Sequence, residues 1–473
     1  MNSQPIRLVV IGAGPGGYAA AYLAADLGMQ VTLIDREATA GGVCLLRGCI
    51  PSKALLHVAK LITESREARS WGVEFDPPRI HVEKLRAWKN QVIQKLTSGL
   101  MQVGRQRKVH FIQGKATLTG PNSVHVRHVS GEETEIPFDY AVLATGSRPA
   151  TIPTLNLDSP RVMNSTGALA LEEIPGKLLV IGGGYIGLEL GSVYAALGSR
   201  VTVVEMTSGL LPGVDRDLVR ILERRLKEHF SAILLNTRVA ELHEEPGGIR
   251  VKFAGETHAG TEEVFDRVLV SVGRRPNSEN IGLENTRVEI DERGFVKVDQ
   301  QRRTAEPTIF AIGDLVGNPM LAHKASHEGR VAVEAIAGHK VAFEPHAIPA
   351  VVFTDPEIAW CGLTETEARE KNIPVEVVRF PWGASGRAIT LDRTDGVTKL
   401  LIDPQSERIL GVGIVGAGAG ELIAEGVLAV EMAALATDVK LSIHPHPTLS
   451  ETIMEAAEMF FGQSTHIYRP RRK

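Results

Sequence analysis

Two short, continuous apolar runs stand out in the first half of the chain, and each ends in a glycine-rich turn. The runs lie at residues 7–11 and 177–181, and both continue beyond the glycines into small and apolar residues. Short apolar runs of this kind are typical of strands buried in a parallel sheet, and the glycines after them favour a tight turn. The pattern therefore predicts a strand, a turn and a helix of the βαβ type at both places.

The two segments are copies of one unit, separated by a constant offset of 170 residues (Gly12 to Gly182). The first glycine of each copy permits a tight turn, the second lets the backbone approach a pyrophosphate, and the third lets helix and strand pack closely. An acid at the end of the second strand can accept hydrogen bonds from a ribose hydroxyl. One such motif is weak evidence, but two complete copies predict two dinucleotide-binding units. The paired positions are Gly12, Gly14, Gly17 and Asp35 in the first copy and Gly182, Gly184, Gly187 and Glu205 in the second.

A second repeat predicts how these units are connected. Residues 138–149 and 265–276 each begin with Phe-Asp, continue as an apolar strand and end in a glycine followed by Arg-Pro. Such an ending favours an exit from a domain, so one unit is predicted to be inserted into the other. We expect an α/β fold with two Rossmann-like units and a third, α+β unit. The expected boundaries are 1–147 with 274–345 for the first unit, 148–273 for the second and 346–473 for the third.

The last third of the chain has a different pattern and no glycine fingerprint. Residues 375–380 and 397–402 alternate as strands do, whereas 421–436 and 450–461 have the spacing of helices. Just before them, residues 308–314 predict a buried strand that ends on Asp314, and a helix is predicted at 321–338. An acid at the carboxyl end of such a strand points to the edge where ligands of open α/β sheets bind.

Composition and charge exclude several classes of function. The chain has 473 residues, 43% of them hydrophobic, and a net charge of −4, so no excess of either sign suggests nucleic acid or a membrane surface as partner. Only three cysteines are present, which indicates a reducing compartment, and we expect a cytoplasmic protein without a signal peptide or membrane span. The basic end, residues 469–473, is interpreted as a solvated tail.

Two of the three cysteines, Cys44 and Cys49, are separated by four residues and flanked by glycines. A pair this close can form a strained disulfide that is easily reduced. A helix predicted at 52–70 would put the pair at a helix start, where the dipole stabilises a thiolate, so we expect at least one acidic thiol. Two buried free cysteines or half of a zinc site are the alternatives, and the spacing alone leaves them open. No further pair of ligands nearby completes a zinc site.

A second candidate for chemistry is the segment His444-Pro-His446-Pro-Thr-Leu-Ser-Glu451. Prolines restrict its backbone, and Glu451 is close enough in sequence to orient the His446 imidazole as a general acid or base. A histidine beside proline is also often structural, and that alternative stays open from these residues alone. No cluster of further ligands suggests a metal site here.

Taken together, the motifs resemble those of the pyridine nucleotide-disulfide oxidoreductases, over residues 6 to about 466. The most specific segments are 41–53, 320–324, 327–329 and 446–451. Within the family, the Ala-His-Lys segment at 322–324 is similar to that of enzymes that oxidise dihydrolipoamide. No adjacent cysteines occur near the C-terminus, which argues against a mercuric reductase.

The resemblance implies that the first unit holds FAD and the second holds a nicotinamide cofactor. Glu205 would repel a 2′-phosphate, and residues 206–215 contain no Arg or Lys to neutralise one, so NAD is favoured over NADP. Ala116 and Val239, each expected just beyond a short strand, would meet an adenine through backbone groups, although ordinary strand packing explains them nearly as well. The implied FAD residues are Gly12, Gly14, Gly17, Asp35, Lys53, Ala116, Thr145, Gly146, Asp314 and Ala322. The implied NAD residues are Gly182, Gly184, Tyr185, Ile186, Gly187, Glu205, Val239 and Gly273.

For catalysis the resemblance implies a relay from a dithiol to NAD+. His446 with Glu451 would take a proton so that a substrate thiolate attacks Cys44, and Cys49 would face the flavin. Lys53, expected to pair with Glu189, would place a cation near the flavin, the alternative being a solvated ion pair.

The resemblance also implies partners for the protein. The His-Glu pair would come from the partner subunit of a homodimer joined by the third unit. The dithiol would be carried on a lipoyl domain of a 2-oxo acid dehydrogenase complex or the glycine cleavage system.

One position departs from the family pattern. Leu46 stands where the family usually has Asn, which removes an amide near the cysteines and affects hydrogen bonding there.

Two alternative functions stay open from the sequence. One is an NAD(P)H-dependent reductase of another disulfide, such as glutathione, and the other is a flavoprotein whose main role is structural within a complex.

Overall fold

The computed structural model of the protein describes residues 4–468, so the basic tail at 469–473 lies outside the described residues. Its first region contains the parallel strands that the glycine motif predicted. β1 pairs in parallel with both β2 and β6, and β3 continues from this sheet into an antiparallel meander with β4 and β5. The elements are β1 (Arg7–Ile11), α1 (Pro15–Asp26), β2 (Gln30–Asp35), α2 (Gly42–Arg47), α3 (Cys49–Glu67), α4 (Val82–Gln106), β3 (His110–Gly120), β4 (Ser123–His128), β5 (Glu133–Pro137) and β6 (Tyr140–Leu143).

The second region repeats the parallel arrangement and adds a meander of its own. Its five parallel strands have the order β11-β10-β9-β15-β8, and β12, β13 and β14 form a separate antiparallel sheet. The two predicted exits pair with each other as the ribbon β7–β16. The elements are β7 (Ser147–Pro149), β8 (Val162–Met163), α5 (Ser165–Ala170), β9 (Lys177–Ile181), α6 (Tyr185–Leu197), β10 (Arg200–Val204), α7 (Arg216–His229), β11 (Ala232–Leu234), β12 (Thr237–Glu245), β13 (Gly248–Gly255), β14 (Glu262–Phe265), β15 (Arg267–Val270) and β16 (Arg274–Pro276).

The chain then returns to the first sheet through β17 (Ile309–Ala311) and α8 (Ala322–Ile336). β17 pairs in parallel with β6 and gives the sheet order β17-β6-β1-β2-β3-β4-β5. The strand is shorter than predicted, because Gly313 with φ +74° turns the chain and puts Asp314 in a short 3-10 helix. α8 packs closely on α1, since a Cβ at Gly329 would lie only 2.7 Å from the Gly16 carbonyl oxygen.

The C-terminal region is a five-stranded antiparallel sheet of order β18-β19-β22-β21-β20 with helices. The predicted helix at 421–436 is wrong at its end: it stops at Glu431, and Ala433 adopts a left-handed φ of +53° before the next helix begins. The elements are β18 (Ala350–Val352), β19 (Glu357–Gly362), α9 (Glu365–Glu370), β20 (Glu376–Pro381), α10 (Gly386–Thr390), β21 (Val397–Ile402), β22 (Ile409–Gly416), α11 (Ala419–Glu431), α12 (Ala436–Leu441) and α13 (Glu451–Phe460).

The predicted fold class is thereby confirmed: two glycine-turn units of α/β type and one antiparallel α+β unit. One stretch within residues 4–468, Gly42–Trp71, is long and apolar enough by length and composition to cross a membrane. It packs against α4 and α6 and carries a lysine whose charge is paired inside the fold. A single stretch of this kind is weak evidence for a membrane span.

Candidate active site

A cavity of about 780 Å³ opens where β1, β2, β6 and β17 end, and it extends to α2, α3 and α6. Ligands of open α/β sheets bind at these carboxyl ends. Nine of the residues implied for FAD line this cavity, together with two implied for NAD and three further residues implied for catalysis. In that order they are Gly12, Gly14, Asp35, Lys53, Ala116, Thr145, Gly146, Asp314 and Ala322, then Tyr185 and Ile186, then Cys44, Cys49 and Glu189.

The glycine turns have the conformation that their residues require. Gly12 has φ +103° and Gly182 has φ +110°, values that side chains rarely allow. A Cβ at Gly17 would overlap the Gly12 carbonyl, and one at Gly187 would overlap the Gly182 carbonyl. The third glycine of each copy therefore contacts the first, and it packs the helix rather than lining the cavity.

The acids after the second strands hold both turns in the same way. Asp35 accepts hydrogen bonds from Ala13 N at 2.6 Å and Glu37 N at 2.9 Å. Glu205 accepts from the residues at the same offset, Gly183 N at 2.7 Å and Thr207 N at 2.8 Å. The duplication thus extends to individual hydrogen bonds, and each carboxylate keeps further lone pairs for a ribose hydroxyl.

The loop after Glu205 is shaped by an arginine that the motif analysis did not assign. Arg216 donates to the carbonyl oxygens of Leu210 at 2.7 Å, Leu211 at 2.5 Å and Val214 at 2.6 Å. Burial lowers the pKa of Arg216, although its neighbouring carboxylate Asp215 opposes this. The guanidinium nearest in sequence to the loop is therefore committed to backbone and is not free to bind a 2′-phosphate.

The two cysteines, both thiols in the structure, lie on consecutive short elements. Cys44 is on α2 and Cys49 is the first residue of α3, three residues earlier than the predicted helix start. A hydrogen bond from the Cys44 thiol, helped by Lys53 and opposed by burial, lowers the pKa of Cys49 to about 7. The same hydrogen bond and burial raise the pKa of Cys44. In the reduced pair Cys49 is the thiolate and Cys44 the thiol.

Neither cysteine belongs to a cluster of three metal-ligand side chains within residues 4–468. The cluster found there consists of Asp215, Asp217 and Glu365, and Lys399 Nζ lies among these carboxylates at 2.6, 2.8 and 2.9 Å. That group is an ion-pair network rather than a cation site.

Lys53 and Glu189 form an ion pair in which three regions of the chain meet. Lys53 Nζ lies 2.9 Å from Glu189 Oε2, which also accepts a hydrogen bond from Ser52 Oγ at 2.9 Å. Glu189 Oε1 accepts from Phe353 N at 3.0 Å, and Lys53 Nζ lies 4.3 Å from the centre of the Phe353 ring. Glu189 is only 3% exposed, so the pair is not a solvated surface contact.

Asp314 is held by a second network at the ribbon β7–β16. Ser147 Oγ donates to Asp314, while Arg274 Nε donates to Ser147 Oγ at 2.7 Å. On the other side, the preceding Gly313 N–H donates to the buried Glu328 carboxylate at 2.7 Å. Ser147, Arg274 and Glu328 were not assigned as site residues from the sequence. Glu328 lies in a segment quoted for the family resemblance, which was the available signal.

The expectation that Ala116 and Val239 lie just beyond short strands is wrong. Ala116 is inside β3, which leaves the parallel sheet after Gln113 and continues, paired with β4, to Gly120. Val239 is inside β12, next to an irregularity in its pairing with β13, and its side chain is buried among apolar residues. Ala116 lines the cavity, whereas Val239 does not.

Most of the residues implied for the second nucleotide site lie outside the cavity that contains the thiols. Tyr185 and Ile186 reach the cavity, and Tyr185 is 41% exposed. Gly182, Gly184, Gly187, Glu205, Val239 and Gly273 lie outside the residues that line it.

Leu46, the departure from the family pattern, is half-buried on α2. The next residue, Arg47, places its Nη2 at 2.5 Å from Glu37 Oε1, and both of these side chains line the cavity. The positive charge of Arg47 is thus paired with Glu37, which lies in the turn after β2.

His446 and Glu451 form a pair at some remove from the thiols of the same chain. His446 Nδ1 lies 2.9 Å from Glu451 Oε1, and Glu451 Oε2 accepts from Thr448 N at 2.8 Å. Burial raises the pKa of Glu451, but the hydrogen bonds from Thr448 and His446 outweigh it, so the net shift is downward. The His446 side chain is 71% exposed, and neither residue lines the cavity.

Comparison with known proteins gives consistent results over nearly the whole chain. The family model described as pyridine nucleotide-disulphide oxidoreductase matches residues 6–329, and the model of that family's dimerisation domain matches residues 348–457. The dihydrolipoyl dehydrogenase of Vibrio cholerae is 48% identical over 461 residues, covering 98% of this chain and 97% of that protein. The enzyme of the same name from Bacillus subtilis is 43% identical over 462 residues, with 98% and 97% covered.

Solved structures agree with this similarity. LpdA from Mycobacterium tuberculosis matches with a TM-score of 0.89 and 27% identity over 96% of this chain and 99% of that one. The HOCl-induced flavoprotein disulfide reductase RclA from Escherichia coli matches with a TM-score of 0.85 and 28% identity, covering 96% and 99%.

Proposed function

Because the chain belongs to the pyridine nucleotide-disulphide oxidoreductase family through both its nucleotide-binding region and its dimerisation domain, we propose that it oxidises dihydrolipoyl thiols with NAD+. The observation that carries this proposal is the Cys44–Cys49 pair, with one acidic thiol, in a cavity bounded by a dinucleotide-binding turn. Relatives 43% to 48% identical over nearly their full length bear the name dihydrolipoyl dehydrogenase.

The residues of the cavity fit FAD. Gly12 and Gly14 leave backbone accessible at the N-terminus of α1 for a pyrophosphate, and Asp35 has lone pairs for ribose hydroxyls. Thr145, Gly146, Asp314 and Ala322 also line the cavity, as does Ala116 of β3. Bound there, FAD supplies a two-electron acceptor beside the thiols, with NAD+ as the final hydride acceptor. The turn Gly182–Gly187 with Glu205, Val239 and Gly273 is proposed to hold NAD+.

The thiol chemistry is a disulfide exchange that the two cysteines divide between them. A substrate thiolate attacks Cys44 Sγ of the oxidised pair, the Cys44–Cys49 bond breaks, and Cys49 leaves as a thiolate. The second substrate thiolate then attacks the substrate sulfur joined to Cys44 and releases a cyclic disulfide product, and Cys44 leaves as a thiolate that takes a proton from His446. The low pKa of Cys49 makes it the better leaving group, which supports this assignment.

Two pairs of side chains, His446 with Glu451 and Lys53 with Glu189, assist this disulfide exchange. His446, oriented by Glu451, takes the proton of each attacking thiol, since its Nε2 is left free by the bond at Nδ1. Lys53 stabilises the Cys49 thiolate and holds a positive charge at the cavity, while Glu189 keeps the lysine in place.

NAD+ rather than NADP+ is supported by charge. The Glu205 carboxylate would repel a 2′-phosphate, and Arg216 is occupied by three backbone carbonyls. A higher kcat/KM with NADP(H) than with NAD(H) would refute this preference.

The dimerisation domain indicates a homodimer, and the exposed His446 suits a role in the partner's site. We propose that the dithiol reaches that site on a lipoyl domain of a 2-oxo acid dehydrogenase complex or the glycine cleavage system. The low cysteine content supports a cytoplasmic location for the assembly.

We also propose that the chain has three units, with boundaries at 147/148, 273/274 and 345/346. The ribbon β7–β16, at which the chain leaves and re-enters the first sheet region, supports the first two of these boundaries.

An anaerobic titration of the purified protein with dihydrolipoamide, followed by visible spectroscopy, tests the proposal. We expect a flavin spectrum that develops a long-wavelength charge-transfer band as the disulfide is reduced. No change on titration, with a spectral response to glutathione or another thiol instead, would favour the alternative of a reductase acting on a different disulfide. A panel of disulfides with NADH would then identify its substrate.

A further inference from the structure

His444, two residues before His446, has hydrogen-bond partners at both of its ring nitrogens. Its Nδ1 lies 2.8 Å from the Ser442 carbonyl oxygen and its Nε2 lies 2.8 Å from Glu425 Oε1. The His444 side chain is only 7% exposed, in contrast to the 71% of His446. One histidine of the segment is therefore anchored in the fold while the other is presented outward.

The two partners of the His444 ring lie in different elements. Ser442 directly follows α12, whereas Glu425 is on α11. The ring is therefore held at both of its nitrogen atoms by separate parts of the fold.

The anchored ring also determines where the outward one lies. Pro445 and Pro447 restrict the backbone around His446, and Thr448 Oγ1 donates to the Pro445 carbonyl at 2.7 Å. The segment is joined to α11 by the His444–Glu425 pair and to α13 by Glu451. Loss of the first connection would free one side of the segment that carries His446.

We propose that His444 is a positioning residue, held between Glu425 and the Ser442 carbonyl, that fixes His446 for proton transfer from the dithiol. This role rests on the proposed function.

The other charged side chains near His444 have partners of their own, so Glu425 is the charged partner of the His444 ring. On α13, Glu451 is occupied by His446 and Thr448 N. On α12, Lys440 donates to Gln463 and Asp438 accepts from Leu435 N. Among the residues that the structure describes, Glu425 of α11 is the charged side chain in contact with the His444 ring.

The test compares His444→Ala, Glu425→Gln and the control His243→Gln in the full-length, FAD-loaded protein. His243 forms an exposed histidine–glutamate pair with Glu241 on β12, far in sequence from the thiols and His446. We expect His444→Ala to lower kcat for dihydrolipoamide by about 10- to 100-fold, as loss of precise placement does. NADH oxidation by an artificial electron acceptor and the homodimer should be retained, and the control should resemble the wild type in every assay.

Glu425→Gln is the conservative variant, because its amide oxygen still accepts a hydrogen bond from His444 Nε2. We expect it to keep most of the dihydrolipoamide turnover that His444→Ala loses. A loss in Glu425→Gln as large as that in His444→Ala would overturn the role of this hydrogen bond. Normal dithiol turnover in His444→Ala, or equal loss of both activities, would overturn the positioning role, whereas a wild type inactive with dihydrolipoamide would refute the proposed function itself.

Discussion

At the scale of single residues, Cys44 and Cys49 acquire different chemistry from their positions on two short helices. Cys49 is the first residue of α3, where the helix dipole and Lys53 favour negative charge. Cys44 lies on α2 and donates a hydrogen bond to Cys49, which raises the pKa of Cys44. Identical side chains five positions apart are thereby distinguished before any substrate is bound.

This difference predicts how the reduced protein reacts with iodoacetamide. The thiolate is the nucleophile, and the Cys49 pKa is about 7, so alkylation should accelerate as the pH rises through 7. Lys53→Met should move this transition to higher pH, because the thiolate loses its cation. Mass spectrometry of the labelled peptide measures both effects. Cys361, which is 1% exposed and has a pKa raised to about 12 by burial, serves as the internal control. Equal labelling of all three cysteines would contradict the assignment.

His446 allows a separate prediction. His446→Gln removes the base but keeps a side chain of similar polarity, so turnover with dihydrolipoamide should fall by about 10²- to 10⁴-fold, the usual contribution of general base catalysis. NADH oxidation by artificial acceptors should remain, since His446 does not line the cavity of the thiols in its own chain. Parallel loss of the two activities would show that the substitution acts through the fold instead.

At the scale of elements, the sequence was most informative where the signal is local. The glycine turns and the acids that end the second strands each depend on a few neighbouring residues, and the structure contains both features. Features that depend on distant partners were not predicted. The end of α11 requires a left-handed Ala433, which periodicity does not signal, and the contact of Glu189 with Phe353 N joins residues far apart in sequence.

The glycine motif makes a prediction about stability at this scale. Gly17 lies on α1, and Gly17→Ala would push a methyl group against the Gly12 carbonyl oxygen. Such overpacking costs about 1–3 kcal/mol of folding stability. Gly99→Ala is the matched control, because Gly99 lies within α4 with no atom within 4 Å of its added Cβ. In a helix the same change stabilises by about 0.5–1 kcal/mol. Thermal unfolding by circular dichroism should therefore shift down for Gly17→Ala and up for Gly99→Ala, and a common direction would contradict the packing argument.

At the scale of the whole molecule, buried charges join the regions of the chain. Lys399 of β21 is 1% exposed and lies among Asp215, Asp217 and Glu365, which come from both sides of the contact between α7 and the C-terminal sheet. Burial alone would raise the pKa values of Asp215 and Asp217. Hydrogen bonds and the charge of Lys399 outweigh burial, so both pKa values are lowered.

Lys399→Met should reveal the cost of that arrangement. Removing one partner of a buried ion pair typically costs about 3–5 kcal/mol, because the carboxylates remain without their cation. Since the folded pKa values of Asp215 and Asp217 are lowered, their stabilising effect is present above the ordinary aspartate pKa and is lost as the pH falls through the folded values. The difference between mutant and wild type should thus be largest near neutral pH and shrink in acid. A difference in denaturant midpoint that is independent of pH would rule out this electrostatic origin.

Assembly is the last property that follows from the whole molecule. Large apolar side chains on α11 and directly after it are exposed in the single chain, namely Leu428 at 63% and Met432 at 72%. They belong to the region matched by the dimerisation model, so a second copy is the partner expected to cover them. Because His446 is expected to serve the thiols of that copy, association and dithiol chemistry should fail together.

Met432→Asp tests this link. A charge in the interface should shift the protein toward monomers in sedimentation velocity and lower dihydrolipoamide turnover, while NADH oxidation by an artificial acceptor persists in the monomer. Val129→Asp, at an exposed apolar residue (69%) outside the dimerisation domain, should change neither property. Adding protein should restore turnover in proportion to the dimer fraction if the site is shared between subunits. Full turnover in a preparation shown to be monomeric would mean that His446 serves the thiols of its own chain.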